Sequence, residues 1–312
     1  MRIVFFGSPT AALPALEALL KAGHDVPLVV TQPDRPAGRG RRPTPCPVKR
    51  FARDRGLATV EPERIRTDES ILASLRAANP DIQVVVAYGQ IMPAAVIYLP
   101  PLNTVNVHFS LLPRYRGASP VAWAILNGEA KTGVTIIELN EKMDEGDVYL
   151  WEETAIRPDE TATELEERLA GIGAELLVRT LSRIRELPRF PQDKARATYA
   201  RKIVKEDGLL AWTEEATAID RKVRAFDPWP SAFTFQRGKR LIIHRGRPLP
   251  SLGIDRTAGK VLEAGKEGLT VACGGRTAYR ITNLQPEGRP AMDAYAFSLG
   301  GGIRSGDILG SV

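Results

Sequence analysis

The chain has 312 residues, 43% hydrophobic and 26% charged; these are ordinary globular values on more chain than one core usually supports, so two domains are expected. No run of about eighteen apolar residues is present to cross a bilayer, and the opening MRIVFFGSP lacks the basic-then-apolar layout of a secretory leader, so a cytoplasmic protein with no membrane partner is expected. Net charge is +6 but uneven: 21 Lys and Arg stand against 23 Asp and Glu in residues 1–183, and 22 against 14 in residues 184–312, or −2 and +8, which makes the second half the one to meet a polyanion.

The first half alternates strand and helix signals. Residues 2–6 (RIVFF) form a short apolar run, and Ser8-Pro9 then reads as a helix start, with Ser as N-cap and Pro at the first helical position; that helix runs to about Lys21 and closes at Gly23. Further strands are expected at 27–31, 82–87, 104–108 and 134–139, and helices at 70–78 and 120–126. This is the pattern of a doubly wound, mostly parallel α/β sheet of Rossmann-like type. A helix from Thr161 to about Glu186 ends the first domain, placed at 1–186, and 187–205 reads as a basic linker. A helix near 214–226 and short strands at 232–236, 240–244, 259–262, 269–273 and 279–284 then predict a small C-terminal β-barrel domain over 206–312.

In open α/β sheets ligands bind beyond the carboxyl ends of the strands, and here those ends are polar: Tyr88-Gly89-Gln90 after one strand, Asn106-Val107-His108 at the next, and Asn140 to Asp144 after the third. Of the three histidines, His24 follows a helix-ending glycine and reads as surface, and His244 sits within a barrel strand and reads as structural. His108 differs, because strand alternation sends its side chain to the same face as Asn106. An imidazole and an amide can hold the oxyanion of a tetrahedral intermediate, while a carboxylate such as Asp144 orients the ring and manages an amine proton. The first βα turn, Phe6-Gly7-Ser8-Pro9, has one glycine where a dinucleotide fingerprint needs three, which argues against a nicotinamide-dependent dehydrogenase. Cys46 and Cys273 lie far apart with no metal-ligand spacing around either, so two free thiols and no metal are expected.

The stretch Asn106-Val107-His108-Phe109-Ser110-Leu111-Leu112-Pro113-Arg114-Tyr115-Arg116-Gly117, followed by the Asp144 loop, resembles the signature of the folate-dependent formyltransferases. The resemblance implies Asn106, His108 and Asp144 as the catalytic trio, Ser110, Leu111, Leu112 and Pro113 as lining of the folate site, and the turn Val86, Tyr88, Gly89, Gln90, Ile91 and Met92 as facing the pterin. Four further segments, residues 31–42, 199–203, 224–230 and 284–286, are similar to the methionyl-tRNA formyltransferases within that family, so the likeness spans essentially the whole chain. It implies 10-formyl-tetrahydrofolate as donor substrate, methionyl-initiator tRNA as acceptor, and Arg35, Arg39, Arg41, Arg42, Arg201, Lys202 and Lys205 as tRNA contacts. Phe109, Lys142, Glu145 and Ser231 depart from the common residues, and Lys142 and Glu145 flank Asp144. Two other readings keep the same signature: a sugar-nucleotide N-formyltransferase, which has no evident use for a +8 second half, and an RNA-binding protein with an idle catalytic trio.

The loop from Asp34 to Pro45 carries four arginines, two glycines and three prolines. A charge run is usually a solvated face, but the resemblance implies that the matching loop contacts the acceptor stem, where guanidinium planes can bind phosphates or stack on bases exposed at an unpaired stem end. Arg39→Ala is therefore expected to lower transfer to initiator methionyl-tRNA strongly with folate binding intact, and Arg39→Lys to restore only part. Unchanged transfer and unchanged discrimination against elongator tRNA would return the loop to a solvated face.

Overall fold

Ile3, Val4, Phe5 and Phe6 are each fully buried, a run too apolar for a strand with one wet face, and it forms the middle of a sheet covered on both sides. The computed structural model describes residues 1–37, 42–250 and 257–310. The chain divides into two units, one of Met1–Pro120, Lys131–Ala155 and Glu166–Arg201, the other of Val121–Ala130, Ile156–Leu165 and Lys202–Val312.

In chain order the elements up to the strand that ends in His108 are β1 (Arg2–Gly7), α1 (Leu13–Lys21), β2 (Asp25–Val30), a short pair β3 (Arg35–Ala37) and β4 (Arg42–Thr44), α2 (Pro47–Asp54), β5 (Thr59–Val60), α3 (Glu69–Ala78), β6 (Ile82–Val86), α4 (Ala94–Ile97) and β7 (Thr104–His108). There follow β8 (Arg116–Gly117), α5 (Pro120–Leu126), β9 (Lys131–Glu138), β10 (Val148–Ala155), α6 (Ala162–Ser182) and β11 (Tyr199–Ala200). The main sheet has the order β10-β9-β7-β6-β1-β2-β5. Strands β5, β2, β1, β6 and β7 are parallel, and β9 and β10 join antiparallel at one edge.

Two expectations change. Ser8 does not cap a helix: a 3₁₀ turn, Thr10–Ala12, precedes α1, and the Ser8 hydroxyl accepts from Gln32 N at 3.0 Å, tying the first βα turn to the end of β2. The strand at 134–139 is the antiparallel β9, with Glu138 opposite Val105 and Thr135 opposite His108. The loop to Asp144 thus leaves beside the start of β7, not beside its carboxyl end. The edge strand β10 went unpredicted because its outer residues alternate between exposed and half-buried, so no apolar run marks it.

The second unit contains α7 (Ala216–Ala225), β12 (Ala232–Gln236), β13 (Lys239–Leu249), β14 (Val261–Gly265), β15 (Gly268–Ala272), β16 (Ala278–Pro286), β17 (Met292–Asp293) and α8 (Ala294–Leu299). An antiparallel sheet of order β12-β13-β16-β15-β14 surrounds a core that includes Trp212, Ile219, Val223, Leu241, Ile243, Val271, Tyr279 and Ile281. Its two edges are joined through the last described segment: Asp307 O accepts from Val261 N, Leu309 N donates to Gly259 O, and Gly310 N donates to Phe235 O. This closure makes the barrel-like form that the strand spacing foretold. Ile156–Leu165 belongs to this unit through the Arg224–Glu160 and Thr163–Asp227 hydrogen bonds and the Arg245–Glu164 ion pair.

Cys46 and Cys273 are both free thiols. Cys273 is buried, and burial pushes its thiol up to about 12, so little thiolate exists to react near neutrality. Iodoacetamide is expected to alkylate Cys46 in the native protein and Cys273 only after unfolding, as peptide mass mapping would show. Modification of both at similar rates would place Cys273 in solvent.

Candidate active site

Strand β7 ends in the buried His108, with Asn106 two residues back on the same face and half-buried. The His108 ring is fixed from two sides. Its Nε2 lies 2.9 Å from Tyr115 O, and because a carbonyl only accepts, this nitrogen carries a proton. Its Nδ1 lies 3.7 Å from Asp144 Oδ1, so the second nitrogen faces the carboxylate. The other carboxylate oxygen, Oδ2, accepts from Gly117 N at 2.8 Å. No side-chain hydrogen bond of Asn106 occurs among the described residues, which leaves its carboxamide available to a ligand.

The segment after His108 is shaped by short polar contacts. The Ser110 hydroxyl donates to Arg114 O at 2.7 Å, Thr135 Oγ1 donates to Ser110 O at 2.6 Å, and Leu112 N donates back to Thr135 Oγ1 at 3.1 Å. Ser110, fully buried, therefore spends its hydroxyl on the turn. Leu111, Leu112 and Pro113 form one wall of a cavity of about 240 Å³ with the apolar Val148, Trp151 and Phe190, and Glu153, Gln192 and Asp193 add polar groups to its lining. Residues 198–200 brace this segment from behind: Thr198 Oγ1 accepts from Tyr115 N at 2.8 Å, and β11 pairs with β8 in parallel. At Gly117 (φ 112°) a side chain would meet the carbonyl of Ala200.

Of the remaining expected positions, Tyr88 and Met92 turn their side chains into the core, with Tyr88 2% exposed and edge-on to Phe6 at 5.4 Å. Gln90 is committed too, accepting from Ile65 N at 2.8 Å and donating to Pro62 O at 3.0 Å. Ile91 is exposed, and so are Ala87 and Gly89, both at positive φ; Val86 is buried at the end of β6. Within this turn, then, backbone and the exposed Ala87 and Ile91 side chains are what can face a ring. Arg35 is exposed on β3, and Arg201, Lys202 and Lys205 are exposed as well. Arg39, Arg41 and the side chain of Arg42 lie outside the described residues. Sequence reasoning passed over Arg116 and Gln192, which hold the Asp144 loop; Arg116 was in plain view in the motif, whereas Gln192 lay in the stretch read as linker. Among the described residues no group of three or more His, Cys, Asp and Glu is arranged to hold a metal.

Burial drives the Tyr88 phenol well above its ordinary value, and its hydroxyl finds no hydrogen-bond partner among the described residues. Tyr88→Phe should then leave folate binding unchanged and stabilise the fold by up to about 1–3 kcal/mol, the cost of an unsatisfied buried polar group. Thermal unfolding and folate titration check both; a loss of folate affinity would put the phenol in the site.

Residues 1–181 match the family described as Formyl transferase, and residues 202–301 match that described as Formyl transferase, C-terminal domain. A methionyl-tRNA formyltransferase of Geotalea uraniireducens is 44% identical over 99% of this chain and 98% of its own length. One of Moorella thermoacetica is 44% identical over the full length of both. Among solved structures, HypX of Aquifex aeolicus in complex with tetrahydrofolic acid superposes with a TM-score of 0.66 at 20% identity, over 96% of this chain and 47% of that one, a likeness of fold in a protein about twice as long. On the strength of the full-length relatives, the chain belongs to the methionyl-tRNA formyltransferase family.

Proposed function

We propose that the chain moves the formyl group of 10-formyl-tetrahydrofolate to the amino group of methionine on initiator tRNA, giving N-formylmethionyl-tRNA for translation initiation in the cytoplasm. In this reading residues 1–186 carry the chemistry and 206–312 the tRNA, with 187–205 between them. The observation that carries it is the pairing of His108 with Asp144 on a strand face that also bears the uncommitted Asn106 amide, in a chain of this family.

The residues fit a folate donor. Ile91 and the Leu111–Pro113 wall offer apolar surface, and the exposed Ala87 and Gly89 let a flat ring approach the main chain. When bound, the donor supplies the formyl carbon and the N10 leaving group. The methionyl amine, an α-amino group of pKa about 8 or below, keeps a neutral fraction near neutrality that can attack without a strong base. As its nitrogen bonds to the formyl carbon, Asn106 Nδ2 and His108 Nδ1 donate to the oxygen that gains charge. Such a donor is worth roughly 3–4 kcal/mol.

Because Nε2 is spent on Tyr115 O, His108 can donate from Nδ1 only as the imidazolium. Asp144 then serves as its counter-charge across 3.7 Å. Collapse breaks the bond from carbon to N10, and the proton lost by the amine passes through Asp144 and water to that nitrogen. The +8 second half supports a tRNA acceptor, held chiefly through phosphates.

Transfer from 10-formyl-tetrahydrofolate to methionyl-tRNA, run beside an amino-sugar nucleotide, tests the reading. Transfer to the tRNA is expected, and transfer to the sugar alone, or to neither, would overturn it. His108→Ala and Asp144→Ala should fold normally and lose roughly 100-fold or more in rate; substantial activity in folded Asp144→Ala would take the carboxylate out of the mechanism.

A further inference from the structure

We propose that Gln192, clamped by the buried Arg116, is a positioning residue that holds the Asp144 loop against His108. The inference rests on the formyl-transfer reading and adds residues to its machinery. Arg116 is 2% exposed, and a guanidinium so deeply placed is stable only when its charge and its donors are matched. Its Nη1 lies 3.2 Å from Glu145 Oε1, while Nε and Nη2 donate to Gln192 Oε1 at 3.1 and 2.8 Å. The Gln192 amide then donates from Nε2 to two carbonyls of the loop, Asp144 O and Gly146 O, each at 2.8 Å.

This arrangement fixes which way the amide points. Turned over, it would set its NH₂ against guanidinium donors and its oxygen against two carbonyls. Gln192 therefore converts the donors of Arg116 into donors for the loop backbone, a task neither a hydrocarbon nor a carboxylate can perform. The loop has no slack. A side chain at Gly146 would run into the carbonyl of Glu138, and Asp144 itself sits in the left-handed region at φ 54°. With its backbone pinned by Gln192 and Oδ2 pinned by Gly117 N, the carboxylate has one oxygen left, and that oxygen faces His108. Glu145 acts here as the counter-charge of Arg116.

Gln192→Glu keeps shape and the pairing with Arg116 but sets a carboxylate oxygen against the two loop carbonyls. The expected result is a folded protein whose kcat falls roughly 10- to 100-fold, as for an ångström-scale misplacement, with KM for methionyl-tRNA within about twofold. In the Asp144→Ala background the same change should alter the rate less than about twofold, because a residue acting only through Asp144 has nothing left to position. The chain has three histidines, so the ring ¹⁵N resonances of His108 can be followed; they should shift in Gln192→Glu at constant pH while those of His24 and His244 stay in place.

If Gln192→Glu does not fold, Arg116→Lys, which keeps the charge beside Glu145 and loses the two-pronged hold on Gln192, should give the same signature. A folded Gln192→Glu with wild-type kcat, rate losses that add to those of Asp144→Ala, or an unmoved His108 spectrum would each overturn the proposal. Should the wild-type chain transfer no formyl group to methionyl-tRNA, the functional reading fails, and the His108 spectrum still decides whether Gln192 positions the loop.

Discussion

One hydrogen bond, from His108 Nε2 to the carbonyl of Tyr115, decides what the rest of the candidate site can do. It spends one of the two nitrogens of the ring, so any chemistry falls to Nδ1. It also requires the chain leaving β7 to double back within seven residues, and the Ser110, Thr135 and Thr198 contacts hold that return in place. Tyr115 presents its carbonyl from the left-handed region, at φ 60°. Such a conformation persists where surrounding contacts over-determine it, and here Tyr115 N is held by Thr198 while the next residue is the anchored Arg116.

The reversal at β9 complements that turn. Were β9 parallel to β7, its carboxyl end would open beyond the sheet and the following loop would stand over solvent. Antiparallel pairing sends the loop back along the face that bears Asn106 and His108, against the Arg116 network. The opposite face of β7 is closed by α6, where Gly173 allows an approach that a Cβ would block by meeting Val107. Strand β7 is thus packed tightly behind, and in front it holds a buried imidazole and a half-buried amide in fixed positions, as a preorganised oxyanion site would require.

The local parts of this design were legible in the sequence. Strand β7 and helix α5 fall on their expected residues, and the Asn106-x-His108 spacing alone put two polar groups on one face. What the sequence concealed is long-range. Gln192 lies 48 residues from its acceptor at Asp144, in a Pro- and Arg-rich stretch that carries no periodicity, so nothing local separates a strut from a linker. Tyr88 misled in the other direction: a polar-tipped ring at a strand end reads as ligand-facing, but the positive φ at Ala87 redirects the chain, and the ring fills the core beside Phe6. Ser8 shows the same competition, since its hydroxyl could cap a helix and instead meets Gln32 N, brought near by the β1–β2 pairing.

The basic loop that the sequence singles out stands on an acidic residue, Asp34, which could neutralise its own arginines. The structure assigns Asp34 elsewhere. Lys49 on α2, its side chain 5% exposed, reaches Asp34 at 2.6 Å and Glu61 at 3.3 Å. Burial alone would lower the ammonium of Lys49, but its hydrogen bonds and charge pairing with Asp34 and Glu61 outweigh this and hold it above its ordinary value. A buried charge of this kind is costly to leave unpaired, by about 3–5 kcal/mol, so the carboxylate of Asp34 is not readily released to a neighbour. Asp34 is the last residue before β3, and β3 pairs with β4 through Arg35↔Thr44 and Ala37↔Arg42. The strand pair β3–β4 therefore starts from a buried lysine held between two carboxylates, one of them the residue that leads directly into β3.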